Sequence, residues 1–301
     1  MKRILISCML LLGIHSVDAQ VAKVALSHKG NLTMYNAENL SEALNDALDG
    51  DTIFLNEGTF QGGITISKAI TLIGAGQNTI INGNITVSYS GMLKARLLDA
   101  LFIKGDVNLS SSLAGLTIRK CRFTQLYLYS GSGLTNALFD RCYVGSDFPI
   151  NSNFKNVQIV NSVISCPLGY AANVGDVTFS NCNVLYLSSN NSVKATFVNS
   201  IVSRGFYTTQ IDSYFSYCYL NYVSYDNGTN TMQNCKIESF SWSNDYQYTP
   251  DMTGTDGTVV GINGGTTPFT LVPSNPKVNK YSLNVDTQNK KLTVNISVSA
   301  N

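Results

Sequence analysis

The chain has 301 residues, 44% of them hydrophobic and only 13% charged, with 20 Lys and Arg against 19 Asp and Glu for a formal net charge of +1. A chain of this length buries a full core, but it shows no basic stripe, so a nucleic-acid partner is excluded. With 24 Gly, 16 Tyr and abundant Asn, Ser and Thr, it suits a β surface that meets neutral polar ligands.

Residues 1–19 carry Lys2 and Arg3, the apolar run Ile4 to Ile14, and small residues up to Ala19. This pattern predicts a secretory signal peptide cleaved near Ala19, too short for a spanning helix. Export to the periplasm, the outer surface or the medium is the expectation, and no later stretch is long and apolar enough to cross a membrane. The segment 20–38 follows and holds His28, the one histidine beyond the leader. A Ser-His-Asp or Cys-His device on the rest of the chain would need His28 to fold back over it.

Leu40, Ala43, Leu44 and Ala47 are spaced i, i+3, i+4, i+7 and predict a short amphipathic helix. Ser41 stands three residues before Leu44, without the Glu or Gln of a capping box, so the helix start is not fixed by the sequence. Asp49-Gly50-Asp51 then turns the chain into a strand over Thr52 to Leu55.

From 116 onward one phrase keeps returning: LTIRKCRF at 116–123, ALFDRCYV at 137–144, VQIVNSVI at 157–164, VTFSNCNV at 177–184, ATFVNSIV at 195–202, YFSYCYL at 214–220 and TMQNCKI at 231–237. Aligned on the anchors Cys121, Cys142, Ser162, Cys182, Ser200, Cys218 and Cys235, the period is 17 to 21 residues. Such a period, rich in β-branched and aromatic residues, predicts a solenoid whose repeat is one coil of strands. An apolar residue lies three before each anchor (Ile118, Phe139, Ile159, Phe179, Phe197, Phe215, Met232) and another two after it (Phe123, Val144, Ile164, Val184, Val202, Leu220, Ile237). Alternation puts the anchor and its second neighbour on one buried face. The three-residue gap upstream breaks alternation and demands a bend. Asn precedes the anchor at Asn161, Asn181, Asn199 and Asn234, and precedes a Gly at Asn82. Asn enters the left-handed region cheaply and its amide can bond to the same group one coil away, so an asparagine ladder is expected.

These residues resemble the pectate-lyase-like right-handed parallel β-helices, which carry such ladders at one of their turns. The stretch 40–76 is similar to the family's opening, an amphipathic helix followed by a first coil. The resemblance implies an all-β, right-handed parallel β-helix of about ten coils with an N-terminal α-helical cap. The expected layout is a signal peptide at 1–19, an N-terminal segment at 20–38, the β-helix with its cap at 39–249, and a C-terminal cap with β-hairpin at 250–301.

Six cysteines lie beyond the leader, and five of them occupy the anchor interchangeably with Ser. Export invites a disulfide reading, yet the spacing follows from the coil, and parallel side-chain vectors fit a disulfide poorly. A buried stack of thiols and hydroxyls is expected, with Cys121/Cys142 and Cys218/Cys235 the adjacent pairs whose state stays open. The tight spacing of zinc sites is missing.

Regular winding ends at Tyr248 to Gly265, a Gly, Thr and Asp stretch whose Asp256-Gly257-Thr258 reads as turn chemistry; a calcium site on Asp251 and Asp256 is the alternative. Two alternating strands, Tyr281 to Val285 and Leu292 to Val298, then predict a hairpin that covers the open end of the solenoid.

Glycan-cleaving relatives of the family carry clustered aspartates with Gly-His-Gly, paired aspartates with an arginine, or a calcium-binding carboxylate cluster with an arginine base. None of these patterns is present, and Asp140, Asp147, Asp176, Asp212 and Asp226 do not share one aligned position. The nearest charged constellation is Lys120, Arg122, Asp140 and Arg141, read either as a site for uronate carboxylates or as a solvated face with an ion pair between Arg119 and Asp140. Four to eight residues past the anchors run the aromatics Tyr127, Tyr129, Phe148, Tyr170, Tyr186, Phe206, Tyr207, Tyr222, Tyr225, Phe240 and Trp242. At least half should pack inward. The candidate ligand-binding set is Tyr127, Tyr129, Tyr170, Tyr186, Tyr207, Tyr222, Tyr225 and Trp242, since tyrosine offers a ring face and a hydroxyl to a sugar. Three functions remain: a non-catalytic protein binding extracellular polysaccharide, a polysaccharide lyase or glycoside hydrolase, and a structural or adhesive surface protein. No cofactor other than calcium is implied.

Overall fold

A computed structural model describes residues 23–89, 97–129, 131–150, 153–168, 176–187, 195–203, 213–221, 230–240, 252–266, 268–269, 277–286 and 291–299. The expected signal peptide lies outside them. The fold is an all-β parallel solenoid of about seven turns, with few helices. One turn of the solenoid is called a rung below.

Each repeat phrase contributes two strands that meet at the corner before the anchor. Strands ahead of the corner, such as Thr117–Arg119, Leu138–Asp140 and Val157–Val160, stack in parallel into an upstream sheet. Strands beyond it, such as Arg122–Leu128, Tyr143–Asp147 and Val163–Leu168, form a downstream sheet. The upstream apolar residues come into register rung on rung: Ile118 on Phe139, Ile159, Phe179, Phe197, Phe215 and Met232. The downstream set does the same from Phe123 to Ile237. Both columns are buried except in the last rung, where Met232 is partly covered and Ile237 is 45% exposed. Phe179, Phe197 and Phe215 stack face to face at 4.8 and 4.9 Å, continuing the core as an aromatic column.

The bend required by the three-residue gap is a left-handed residue in every rung: Lys120, Arg141, Asn161, Asn181, Asn199, Tyr217 and Asn234 have φ between 47° and 54°. The anchor of the next rung donates across the corner to the carbonyl of the upstream apolar residue. Cys142 Sγ donates to Ile118 O at 3.3 Å, Cys182 Sγ to Ile159 O at 3.3 Å, Ser200 Oγ to Phe179 O at 3.4 Å and Cys218 Sγ to Phe197 O at 3.3 Å. A small side chain with one donor is what the position needs, which explains why Cys and Ser alternate there. None of the six described cysteines forms a disulfide, and all are buried.

The expected asparagine ladder is modified. Asn181 Nδ2 donates to the carbonyls of Ile262 and Gly264, at 3.2 and 2.9 Å, rather than to a neighbouring asparagine. An amide-to-amide bond occurs at another corner, from Asn156 Nδ2 to Asn136 Oδ1 at 2.7 Å, with both residues left-handed. Asn82 ends a downstream-sheet strand, and its positive φ falls on Gly83, so it belongs to a different bend.

Ahead of the repeats, strands Thr52–Leu55, Thr71–Ile73 and Leu98–Asp99 continue the upstream sheet in parallel. Helix Leu40–Asp46 forms as expected, with Leu40, Ala43, Leu44 and Ala47 buried. The segment 20–38 holds an unpredicted hairpin: Lys23–His28 pairs antiparallel with Asn31–Asn36 and with Thr52–Leu55. Lys29 and Gly30, at φ 48° and 87°, supply the two positive dihedrals of its tight turn. The residues 269–301 are a separate compact unit in which Lys277–Asp286 and Lys291–Ser299 pair antiparallel, containing both strands expected in the tail. Among the described residues no helix is long and apolar enough to cross a membrane.

Candidate functional site

The charged constellation of the early rungs is spread over two sheets and the corner between them. Arg119 points outward from the upstream sheet in register with both Asp99 and Asp140. Its guanidinium grips Asp99 on the preceding rung, with Nε donating to Oδ1 at 3.2 Å and a second, shorter bond from the terminal nitrogen to Oδ2. The cross-rung ion pair therefore joins Arg119 to Asp99, while Asp140 takes Arg141 Nη1 at 3.1 Å. Lys120 and Arg141 sit at exposed left-handed corner positions. Arg122 lies on the downstream sheet between the rings of Phe102 and Tyr143, at 5.1 and 4.9 Å from their centroids. The three form one column in register, and Arg is suited to this place because its flat, weakly hydrated cation rests on an aromatic face.

Among the aromatics, Tyr127 and Tyr129 are exposed by 46% and 49% and meet edge to face at 5.3 Å. Tyr127 heads an outward column of Asn108, Thr86 and Thr65, one from each preceding rung. The result is a lane of hydroxyls and amides ending in two open rings. Phe148 is fully buried against Phe139, and Phe240 stacks on Tyr219 at 4.4 Å; these two are packing residues. Tyr170, Tyr207, Tyr222, Tyr225 and Trp242 lie outside the described residues, as does the side chain of Tyr186.

The stretch 252–265 returns along the solenoid as a strap. Beyond the two bonds from Asn181, Gly261 N donates to Tyr217 O at 2.8 Å and Thr255 Oγ1 donates to Asn234 Oδ1 at 3.1 Å. Val260 and Ile262 are buried, and Gly261 lies against the outward side chains of Ile201 and Tyr219. The strap runs so near the corner that Gly254, against Asn234 O, and Gly265, against the Asn199 amide, leave no room for a Cβ. Outward residues that would otherwise face water are thereby covered in the later rungs: Ile201 and Tyr219 are buried. The sequence carried no signal for this return beyond its run of glycines.

Asp256 uses Oδ1 to accept from Thr258 N at 3.0 Å and Thr258 Oγ1 at 2.7 Å, and these bonds hold its carboxyl below the usual range. That is the turn chemistry expected of Asp-Gly-Thr; Asp251, its suggested calcium partner, lies outside the described residues. His28 Nδ1 is 2.8 Å from Asp51 Oδ1, and Asp51 Oδ2 accepts from Leu48 N at 2.8 Å, which ties the histidine to the first rung. Burial raises the carboxyl of Asp147, on the downstream sheet beside Gln125. Desolvation pushes the Cys121 and Cys182 thiols up to about 12, so these anchors remain protonated.

Comparison of the chain with protein families, with characterised proteins and with solved structures finds no match.

Proposed function

We propose that this chain is an exported or surface-attached protein that binds extracellular polysaccharide without cleaving it. The observation that carries the reading is the exposed Tyr127 and Tyr129 pair at the head of the Thr65, Thr86 and Asn108 lane. Rungs repeat at about 4.8 Å, so a chain of sugars laid along the solenoid axis meets a periodic row of hydroxyl and amide partners. It reaches at the end two aromatic faces on which a pyranose ring can stack. The near-neutral charge of the whole chain favours a neutral glycan over a polyanion.

The finer architecture belongs to the same proposal: a right-handed helix of the pectate-lyase-like kind, with about ten coils, a helical cap at one end and the C-terminal hairpin as the other cap. Its support is the parallel ladder that begins at Thr52–Leu55, three strands ahead of the repeat phrases, with the apolar side of the Leu40–Asp46 helix buried.

The experiment is binding of the purified protein to a panel of insoluble and soluble polysaccharides, with reducing ends and unsaturated products followed in the same samples. Retention without products is the expected outcome. Product release would replace the reading with that of a lyase or hydrolase. No retention on any glycan would turn attention to a protein partner.

A further inference from the structure

We propose that Cys218 and Cys235 are a redox-active dithiol, which a small-molecule disulfide converts into a covalent link between the last two repeat rungs. The anchor position is Cys in consecutive phrases at two places only, Cys121/Cys142 and Cys218/Cys235, because Ser162 and Ser200 interrupt the series. At the later place the two residues are flanked by paired neighbours, Ser216 with Gln233 and Tyr219 with Lys236, so they sit side by side in the corners of adjacent rungs. Strands about 4.8 Å apart fall inside the range of Cα separations, roughly 4.4 to 6.8 Å, that a disulfide spans. Each thiol donates to a carbonyl one rung back, Cys218 Sγ to Phe197 O at 3.3 Å and Cys235 Sγ to Phe215 O at 3.6 Å, so the two side chains are held in parallel on the same side of the corner.

Position within the stack separates this pair from the earlier one. Cys142 is roofed by the following rung, where Ser162 Oγ accepts its N–H at 3.0 Å, and Cys121 and Cys142 are only 2% and 3% exposed. Cys235 belongs to the last repeat rung, is 9% exposed, and is flanked by the partly covered Met232 and the open Ile237. Cys235 is thus the least covered of the four paired anchors. Among the described residues no parallel strand lies beyond Lys236–Glu238, and a rung paired on one side has more freedom to adjust to disulfide geometry than one held on both.

The chemistry is thiol–disulfide exchange. The hydrogen bond from the Cys218 thiol holds Cys235 below the usual thiol range, while burial raises Cys218. Cys235 thus loses its proton and attacks one sulfur of the external disulfide, expelling one thiolate. Cys218 then gives up its proton and attacks the Cys235 sulfur of the mixed disulfide, expelling the second. Two electrons and two protons pass to the reagent, which leaves as two thiols.

The test uses the full purified chain, reduced, exposed to oxidised glutathione, quenched with iodoacetamide and digested with chymotrypsin, which cuts at the tyrosines between the two cysteines. We expect two thiols lost per chain, one linked peptide pair joining Cys218 to Cys235, and a higher thermal midpoint that returns to its starting value on reduction. Cys235→Ser and Cys218→Ser should each abolish the link, while Cys142→Ser should leave it intact. These variants are suited to fold, since Ser162 and Ser200 fill the same place in neighbouring rungs. A link at Cys121/Cys142, glutathione adducts without a protein disulfide, or no loss of thiols would overturn the proposal.

Discussion

The early and late rungs turn the same corner with different residues. At Lys120 and Arg141 the left-handed position is filled by long charged side chains that reach into water, and the outward column beside it, Phe102, Arg122 and Tyr143, stays at least partly open. At Asn181, Asn199 and Asn234 it is filled mainly by asparagine, the strap 252–265 lies against it, and the corresponding column is buried. The backbone is the same in both regions, so the bend favours asparagine without requiring it. The neighbour outside differs: Asn181 has backbone carbonyls to bind, whereas Lys120 and Arg141 face solvent. Inside the corner, anchors of both regions donate to the carbonyl of the apolar residue one rung back, Cys142 to Ile118 and Cys218 to Phe197.

The largest effect should come from the core that both regions share. Phe197→Ala opens the centre of the stacked Phe column and should cost about 3 to 5 kcal/mol, measured by urea unfolding; Phe139→Ala in the early region should cost a similar amount. Ile262→Ala tests the strap. It should cost about 2 kcal/mol and raise amide exchange in 199–203 and 213–221 while leaving 117–129 and 131–140 unchanged. Equal exchange in the two regions would mean that the strap does not stabilise the late rungs.

A third expectation concerns the anchors, where the two regions should agree. Burial lifts the Cys121 and Cys182 thiols to about 12 in the folded chain, while unfolded thiols ionise near 8.5. Their contribution is complete below that lower value and is lost as pH rises toward 12, at up to about 1.4 kcal/mol per pH unit for each thiol. Unfolding midpoints should therefore fall between pH 9 and 11, and Cys182→Ser should flatten the fall as much as Cys121→Ser. The smallest effect is Lys120→Asn, which makes an early corner resemble a late one. It should add up to about 1 kcal/mol, because asparagine tolerates φ 53° better than lysine does.

Much of the fold was legible because the repeat phrase encodes its own register. All seven anchors and both apolar columns stack as aligned, and the strand Thr52–Leu55 and the helix at Leu40–Asp46 fall where their patterns put them. Three features were hidden for physical reasons. Leu32 and Met34, on the outer strand of the first hairpin, are exposed, so apolar content there does not mark burial. The partner of Arg119 is Asp99, in a rung whose anchor place is held by Leu101 and which therefore lacks the phrase. The strap meets its corner 81 and 83 residues away in sequence, through backbone carbonyls that no side-chain pattern announces. Of the candidate site, Tyr127 and Tyr129 are exposed and Phe148 packs inward, a division that alternation along a strand produces but that the sequence does not assign residue by residue.

The decisive measurement is the affinity of wild type and of Tyr127→Ala/Tyr129→Ala for whichever polysaccharide the panel retains, by titration calorimetry, with thermal midpoints recorded beside it. Both rings are about half exposed, at 46% and 49%, so their removal should leave the midpoint within a few degrees. We expect binding to weaken by about tenfold or more, the loss of two stacking contacts. Unchanged affinity in the folded double variant would contradict the proposal that this aromatic lane is where the glycan binds.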